Sequence, residues 1–427
     1  MIPETIIKKV LDQIDPQAVI DLTARLVHCN SVWDPEAGTS EAQAAHLVAD
    51  WAREQGFEVS LEAVAPMRPN VILRWNGDPG PRTLMFEGHT DVVTPGDQAQ
   101  WQYDPFGAQI EHGRMFGRGT NDTKGNLAAM LMAMAAVKAS GIPLIGALIG
   151  GVLCDEEDMM TGVQHFIARG HADTVTAAVI CEPQDGLVCI AQKGALRARF
   201  TIKGRMSHGA MPLSGINPAP AVARIIDGLA QLEAEAVSAF GQDPLLGWPS
   251  FTPTVVQAPA QGPPQLNVVP GEARVLVDIR TIPGQSHASI RKAVTRLAHQ
   301  TAVEVNDRYR NYNDQLGIQR PWDLEVAAAF LSDRPFTHTD DDDPVVQSAI
   351  WANRRIEGKE LTLAGVPGAT DGTFLWALKQ IPIVTMGAGD RQVPHQADEW
   401  VDLEQLVDTT RIYALTAIHY LWPGDDR

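Results

Sequence analysis

Cysteine is scarce: there are four in 427 residues (Cys29, Cys154, Cys181 and Cys189), and they show neither a CxxC spacing nor a disulfide framework. That points to a reducing, cytoplasmic setting. Cys154 and Cys181 lie in apolar, strand-like runs, where a buried inert thiol is the expected state. Cations are also in short supply. Lys and Arg total 34 against 52 Asp and Glu, a net charge of −18. This argues against nucleic acid or an anionic membrane as a partner, so any anionic substrate has to be attracted by local cations. No uncharged apolar run reaches the ~18 residues that a membrane span needs. The first residues, MIPETIIKKVLDQI, mix charges into their apolar positions and have no small-residue cleavage site, unlike a secretory signal. Internal repeats and low-complexity tracts are missing too.

What is present is enough chain for two domains, since 427 residues exceed what one hydrophobic core usually serves. Asp15-Pro16 opens a helical pattern to about Cys29, and Ser40 with Gln43 reads as a capping box for a second helix ending at Gly56. Strand-like runs follow at 58–61, 70–75 and 83–86, the last two separated by the turn-rich Asn76 to Pro81. A helix is expected over 126–140, and buried strands over 144–153, 177–181 and 383–386. From Ala195 the pattern changes to strict alternation, with Leu196, Ala198, Phe200 and Ile202 between Arg197, Arg199, Thr201 and Lys203. Alternation of that kind marks a sheet with one wet face and sets a domain boundary.

The expected organisation is therefore a catalytic domain from residues 1–195 and 338–427, interrupted by an inserted module over 196–337. The module has a helix at about 218–236, a proline-rich connection (Pro244 to Pro264) that reads as a linker, a strand at 273–280 and a helix from Ser286 to about His299. Its order of elements suggests a ferredoxin-like α+β fold. The acidic run Asp340 to Asp343, followed by Pro344, reads as a helix cap and not a calcium loop, because the EF-hand spacing and glycine are missing.

The chemistry gathers at strand ends. LMFEGHTD (84–91) stops being apolar at Gly88 and then presents His89 and Asp91. Asp155-Glu156-Glu157 follows one buried strand, Glu182-Pro183 another, Asp122 sits in the glycine-punctuated GRGTNDTKG, and His395 in a polar loop after the last strand. In open α/β sheets ligands collect at the carboxyl ends of strands. Five of these carboxylates, Asp91, Asp122, Glu156, Glu157 and Glu182, together with the imidazoles of His89 and His395, would need cations to neutralise them at one sheet edge. Imidazole with carboxylate suits zinc or a similar ion better than magnesium or calcium. Two ions account for the number of acids: one carboxylate bridges, each ion takes one His and one further carboxylate, and one acid stays free as a general base.

The ordered motifs GHTDVV, GRGTNDTKG, DEE, EP, GRMSHGAMP, DIR and PHQADE resemble those of the dizinc deacylases and carboxypeptidases, a family that includes acetylornithine deacetylase, succinyl-diaminopimelate desuccinylase, aminoacylase and carboxypeptidase G. The resemblance implies a three-layer αβα catalytic domain with a mixed sheet, plus a ferredoxin-like lid and dimerisation domain through which the chain forms a homodimer. It implies two divalent ions, zinc or alternatively cobalt, with His89 and Glu182 on one, Glu157 and His395 on the other, and Asp122 bridging. Asp91 is implied to orient His89, and Glu156 to act as the general base. Because neighbours on an extended segment point opposite ways, Glu156 and Glu157 must share a turn. A cis peptide is implied at Asp122-Thr123.

In the module the resemblance implies that His208 stabilises the oxyanion, in its own or a partner subunit's site, and that Asn267 and Arg280 hold a substrate carboxylate. A guanidinium fork suits that anion, while an ion pair with Asp278 is the alternative for Arg280. Gly368, Thr370 and Asp371 are candidates for the substrate wall, with helix capping as the competing explanation for Thr370 and Asp371. Glutamate at position 182, where the aminopeptidase branch tends to carry aspartate, favours deacylation or carboxypeptidase action. The activity so implied is metal-dependent removal of an acyl group from a small N-acyl amino acid. The alternatives are a carboxypeptidase or dipeptidase of the same family, and an inactive binding or scaffold protein. The loops 101–106 and 244–264 match no substrate.

Overall fold

The apolar run ending at His89 is one of four parallel strands in a computed structural model that describes residues 2–317 and 322–423. Asp78–His89 pairs with Ile145–Leu153 on one side, His89 opposite Leu153, and with Ala177–Cys181 on the other. Ile383–Met386 lies beyond Ala177–Cys181. All four strands point the same way, so their carboxyl ends form one edge. Arg68–Asn76 and Glu58–Ala65 add antiparallel strands beyond Ile145–Leu153. Val188–Gln192, Thr337–His338 and Leu363–Val366 complete a mixed sheet of nine strands among the described residues.

Helices cover both faces, which is why the central strands are continuous apolar runs and not alternating ones. Met85, Ile149, Ile180 and Ile383 pack with Phe166 and Leu375 of the helices Thr161–Ala168 and Gly372–Lys379. Phe86 points the other way, its ring 5.6 Å from that of Tyr413 in the helix Leu403–Leu421. On that same face a Cβ at Gly88 would lie 3.6 Å from Leu127 and Met130 of the helix Lys124–Ala139. The larger unit thus has the expected three layers. It runs from the first described residue to Ala191 and includes Thr337–Val366 and the residues from Thr370 onward.

The smaller unit comprises Gln192–Phe336 with Pro367–Ala369. Its antiparallel sheet has the order Ser250–Gln257, Glu272–Thr281, Gly194–Lys203, Glu325–Arg334. With the helices Ala219–Phe240 and His287–Gln315 this is the ferredoxin-like arrangement. Leu196, Ala198, Phe200 and Ile202 are core, and their odd-numbered neighbours lie on the open face.

Several local expectations need correction. The proline-rich stretch contains the strand Ser250–Gln257. Pro253 is tolerated there because the strand is at the sheet edge and a register shift follows it. The helix after Ser286 does not stop near His299 but continues to Gln315. Residues 4–11 form a helix that their charge pattern did not announce. At the helix Ala42–Glu54 the Ser40 hydroxyl accepts the Ala42 N–H at 3.3 Å, as a cap should, while Glu41 turns its carboxylate to Arg68. The caps read at Asp15 and Asp343 are present, each accepting the N–H two residues on. Among the described residues no helix is long and apolar enough to cross a membrane.

Candidate metal centre

Each strand of the parallel set delivers at least one group to the shared edge. His89 ends its strand, Glu182 follows Cys181, Glu156 and Glu157 occupy the turn after Leu153, and His395 is in the loop after Met386. Asp122 arrives from the loop that precedes the helix Lys124–Ala139, and its peptide bond to Thr123 is cis. Asp155 and His395 both have positive φ (67° and 68°), a conformation uncommon for side-chain-bearing residues and one that turns the chain sharply at these points.

Asp122 lies between the two histidines. Its Oδ1 is 3.2 Å from His89 Nε2, and its Oδ2 is 3.5 Å from His395 Nε2. Glu182 Oε1 is 3.5 Å from His89 Nε2, and Glu157 is 3.1 Å from His395 Nε2. Two groups result, His89 with Asp122 and Glu182, and Asp122 with Glu157 and His395, each offering ligand atoms within 4.8 Å of one another.

Protons stand in for cations in this geometry. Burial works against charge on Asp122, yet hydrogen bonds from His395 and His89 hold its carboxyl well below the usual range. Bonds to Asp122 and Glu157 push His395 up to about 10. Burial, followed by the charge of Asp122, pushes Glu182 up to about 7. Glu182 Oε1 is buried with no hydrogen-bond partner, an orphan acceptor aimed at the His89 side of the cluster. Clustered carboxylates, imidazole nitrogens turned toward them and an orphan oxygen are what divalent ions would satisfy in place of those protons.

The profile of Peptidase family M20/M25/M40 matches residues 85–419, a span containing all of these groups. The chain belongs to that family. Succinyl-diaminopimelate desuccinylase of Cereibacter sphaeroides is 30% identical over 94% of this chain and 97% of its own length. The protein of the same name from Methylobacterium nodulans is 30% identical over 95% of this chain and 96% of its own. Among solved structures, an M20 family metallo-carboxypeptidase from Sulfolobus solfataricus shares the fold, with a TM-score of 0.76, 17% identity and coverage of 94% of this chain and 99% of that one. A dipeptidase from Saccharomyces cerevisiae shares it with a TM-score of 0.75, 17% identity and 98% and 99% coverage. Like the M20 proteins it resembles, the chain is a hydrolytic enzyme.

Within this M20/M25/M40 chain the remaining sequence-nominated residues fall into two sets. Glu156 is almost fully buried, and burial pushes its carboxyl well above the usual range, with Glu182, Asp371 and Glu157 adding to the shift and His89 opposing it. Asp91 meets His89 Nδ1 first through its backbone carbonyl, at 3.0 Å, and only at 3.5 Å through its carboxylate. That carboxylate instead accepts the backbone N–H groups of Glu156 and Glu157. Thr370 Oγ1 accepts from Gly372 N at 3.3 Å at the start of a helix, the capping role weighed against a substrate contact.

The smaller unit holds the second set. His208 lies on a two-residue strand paired with Val268–Val269, and Gly209 N donates to the Asn267 carbonyl at 2.6 Å, so His208 and Asn267 adjoin. Arg280 Nε donates to Asp278 Oδ1 at 2.6 Å, the alternative weighed for it, and Arg197 Nε lies 3.5 Å from the other oxygen of Asp278. Gly368 also belongs to the smaller unit, and a Cβ there would meet nothing within 4 Å.

Sequence reasoning gave Glu399 no role, although it closes the PHQADE motif. Fully buried, it accepts Gly119 N, Asn121 N and Asp122 N on Oε1 at 2.9, 3.0 and 3.0 Å, while its other oxygen holds Arg118. Glu399 therefore ties the loop that carries Asp122 to the loop that carries His395. Gly389 makes the same junction possible, because a Cβ there would lie 2.0 Å from Asn121 Oδ1. A second unforeseen feature is the fully buried Glu87, pushed well above the usual range by burial and by the neighbouring Asp371, with which it shares a hydrogen bond. One acid in that pair has to carry a proton.

Proposed function

We propose that the chain is a two-metal amidohydrolase that removes the acyl group from an N-acyl amino acid or a related small amide bearing a carboxylate. The single observation that carries this reading is Asp122, with one oxygen toward His89 and the other toward His395. A carboxylate so placed is suited to bridge two ions. His89 and Glu182 would complete one ligand set, and Glu157 and His395 the other. Histidine with carboxylate favours zinc, with cobalt as the substitute. The names of the curated relatives, both desuccinylases of an amino acid, favour acyl removal over peptide trimming.

When bound, the two ions would polarise the acyl carbonyl and make water acidic enough to be deprotonated near neutral pH. Glu156 takes the proton of the attacking water and returns it to the leaving nitrogen, so that the acid and the free amine depart. Its raised pKa suits both halves of that exchange. Asp91 keeps Glu156 and Glu157 in their turn. His208 would hold the oxyanion, and Arg280 with Asn267 the substrate carboxylate, with Gly368 and Thr370 on the substrate wall. The smaller unit would act as lid and as the contact of a homodimer, and the enzyme would work in the cytoplasm.

A screen of N-acetyl, N-succinyl and peptidyl amino acids, with and without chelator, tests this reading. Hydrolysis of acyl amino acids that chelator abolishes and zinc or cobalt restores is expected. Activity confined to dipeptides would turn the reading toward the carboxypeptidase or dipeptidase alternative. Glu156→Ala is expected to keep its metal and lose turnover, and retained turnover would overturn the base assignment.

A further inference from the structure

Next to the metal centre lies a buried ion network that the reaction scheme above does not use. Arg68, at the start of its strand, donates through Nε to Glu41 Oε1 at 2.7 Å and through Nη2 to the same oxygen. Its Nη1 is 2.6 Å from Asp155 Oδ1. The side chains of Glu41, Arg68 and Asp155 are 0%, 10% and 2% exposed, and the Trp33 ring lies 4.7 Å from the guanidinium carbon. All belong to the larger unit.

Asp155 immediately precedes Glu156 and adopts φ 67°. Its other oxygen accepts the Thr161 N–H and hydroxyl, and Met160 N donates to its carbonyl at 2.6 Å. Asp155 is thus gripped from two sides, by Arg68 and by Thr161, at the residue whose left-handed backbone sets the course of the next two. Stability alone is a weak reason for such a network, because a buried ion triad is often no better than well-packed apolar residues, whereas fixing one conformation is a role such groups are known to serve.

We propose that Glu41, Arg68 and Asp155 are positioning residues for the general base, with Arg68 holding Asp155 in the left-handed conformation that aims the Glu156 carboxyl at the water it deprotonates. This rests on the reading of Glu156 as the base. The guanidinium is needed because one planar cation must reach two carboxylates on different elements, which a lysine ammonium does poorly. Loss of the grip displaces Glu156 without removing it, and a displacement near 1 Å costs on the order of a hundredfold in rate.

The test compares Arg68→Met, Arg68→Lys, Glu41→Gln and Glu156→Gln, measuring kcat, KM, bound zinc per chain, melting temperature and the absorption spectrum of the cobalt-loaded enzyme. For Arg68→Met, kcat is expected to fall by about a hundredfold with KM and metal content unchanged, and Arg68→Lys to recover part of that loss. Glu41→Gln, which keeps its shape and one acceptor oxygen, is expected to lose roughly threefold to tenfold in kcat on the same pattern. The cobalt spectrum should match that of the parent enzyme throughout. A lower melting temperature with kcat per folded, metal-loaded chain unchanged would overturn the proposal. If Arg68→Met does not fold, unchanged kcat in Glu41→Gln overturns it alone. An inactive Glu156→Gln beside fully active Arg68 and Glu41 variants would defeat only the positioning role, whereas an active Glu156→Gln would defeat the base assignment and this proposal together.

Discussion

Asp91 accepts the backbone N–H of Glu157 at 3.0 Å on one carboxylate oxygen, and on the other the N–H of Glu156 at 3.2 Å. Asp91 thus fixes the turn that carries Glu156 and Glu157, the proposed base and the proposed metal ligand. Asp91→Asn keeps one acceptor and points an amide N–H₂ at the second donor. It is expected to lower both metal affinity and kcat by about tenfold to a hundredfold, as read by metal titration and steady-state kinetics.

In the proposed site metal and proton compete for the same groups, and the sign of the pH effect follows. Glu182 is raised from 4.5 to about 7, so its contribution to stability is present below its ordinary pKa and is lost as pH rises through about 7. His395 is raised from 6.5 to about 10, so its contribution holds below its ordinary pKa and is lost as pH climbs toward 10. Metal-free enzyme should therefore lose melting temperature between about pH 5 and about pH 9, and the gain on adding zinc should be larger at the alkaline end. Thermal melts of chelated and zinc-loaded protein check this. An equal gain at both ends would show that the ligands are not held by protons in the absence of metal.

Glu399 gathers three backbone N–H groups and a buried arginine, so Glu399→Gln should cost about 3 kcal/mol by breaking a buried ion pair. The damage is expected to reach the metal centre, because Asp122 N is one of the three donors. Urea denaturation together with zinc analysis measures both effects.

How much of this could be read from the chain depended on the range of each interaction. The residues at strand ends were legible because parallel strands covered on both faces must be apolar runs, and the polar cluster where each run stops marks the sheet edge, as at Glu87 to Asp91, Asp155 to Glu157 and Glu182. The asymmetry of the smaller unit's sheet was legible from the alternation after Ala195. The strand Ser250–Gln257 was not, since its prolines argue against a strand until its place at the sheet edge is known. Nor was the length of the helix His287–Gln315, whose second half is too polar to show a clear apolar stripe. Glu41 with Arg68, and Glu399 with the loop at 119–122, are meetings of residues far apart in the chain. No local pattern announces them, and a buried acid looks like any surface acid in sequence.

The account stands on two ions sharing Asp122, and anomalous diffraction from crystals of the zinc-loaded enzyme tests that most directly. Two zinc peaks about 3.5–4 Å apart are expected, one beside His89 and Glu182, the other beside His395 and Glu157, with a carboxylate oxygen of Asp122 on each. A single peak, or two peaks with Asp122 bound to neither or to only one, would contradict it.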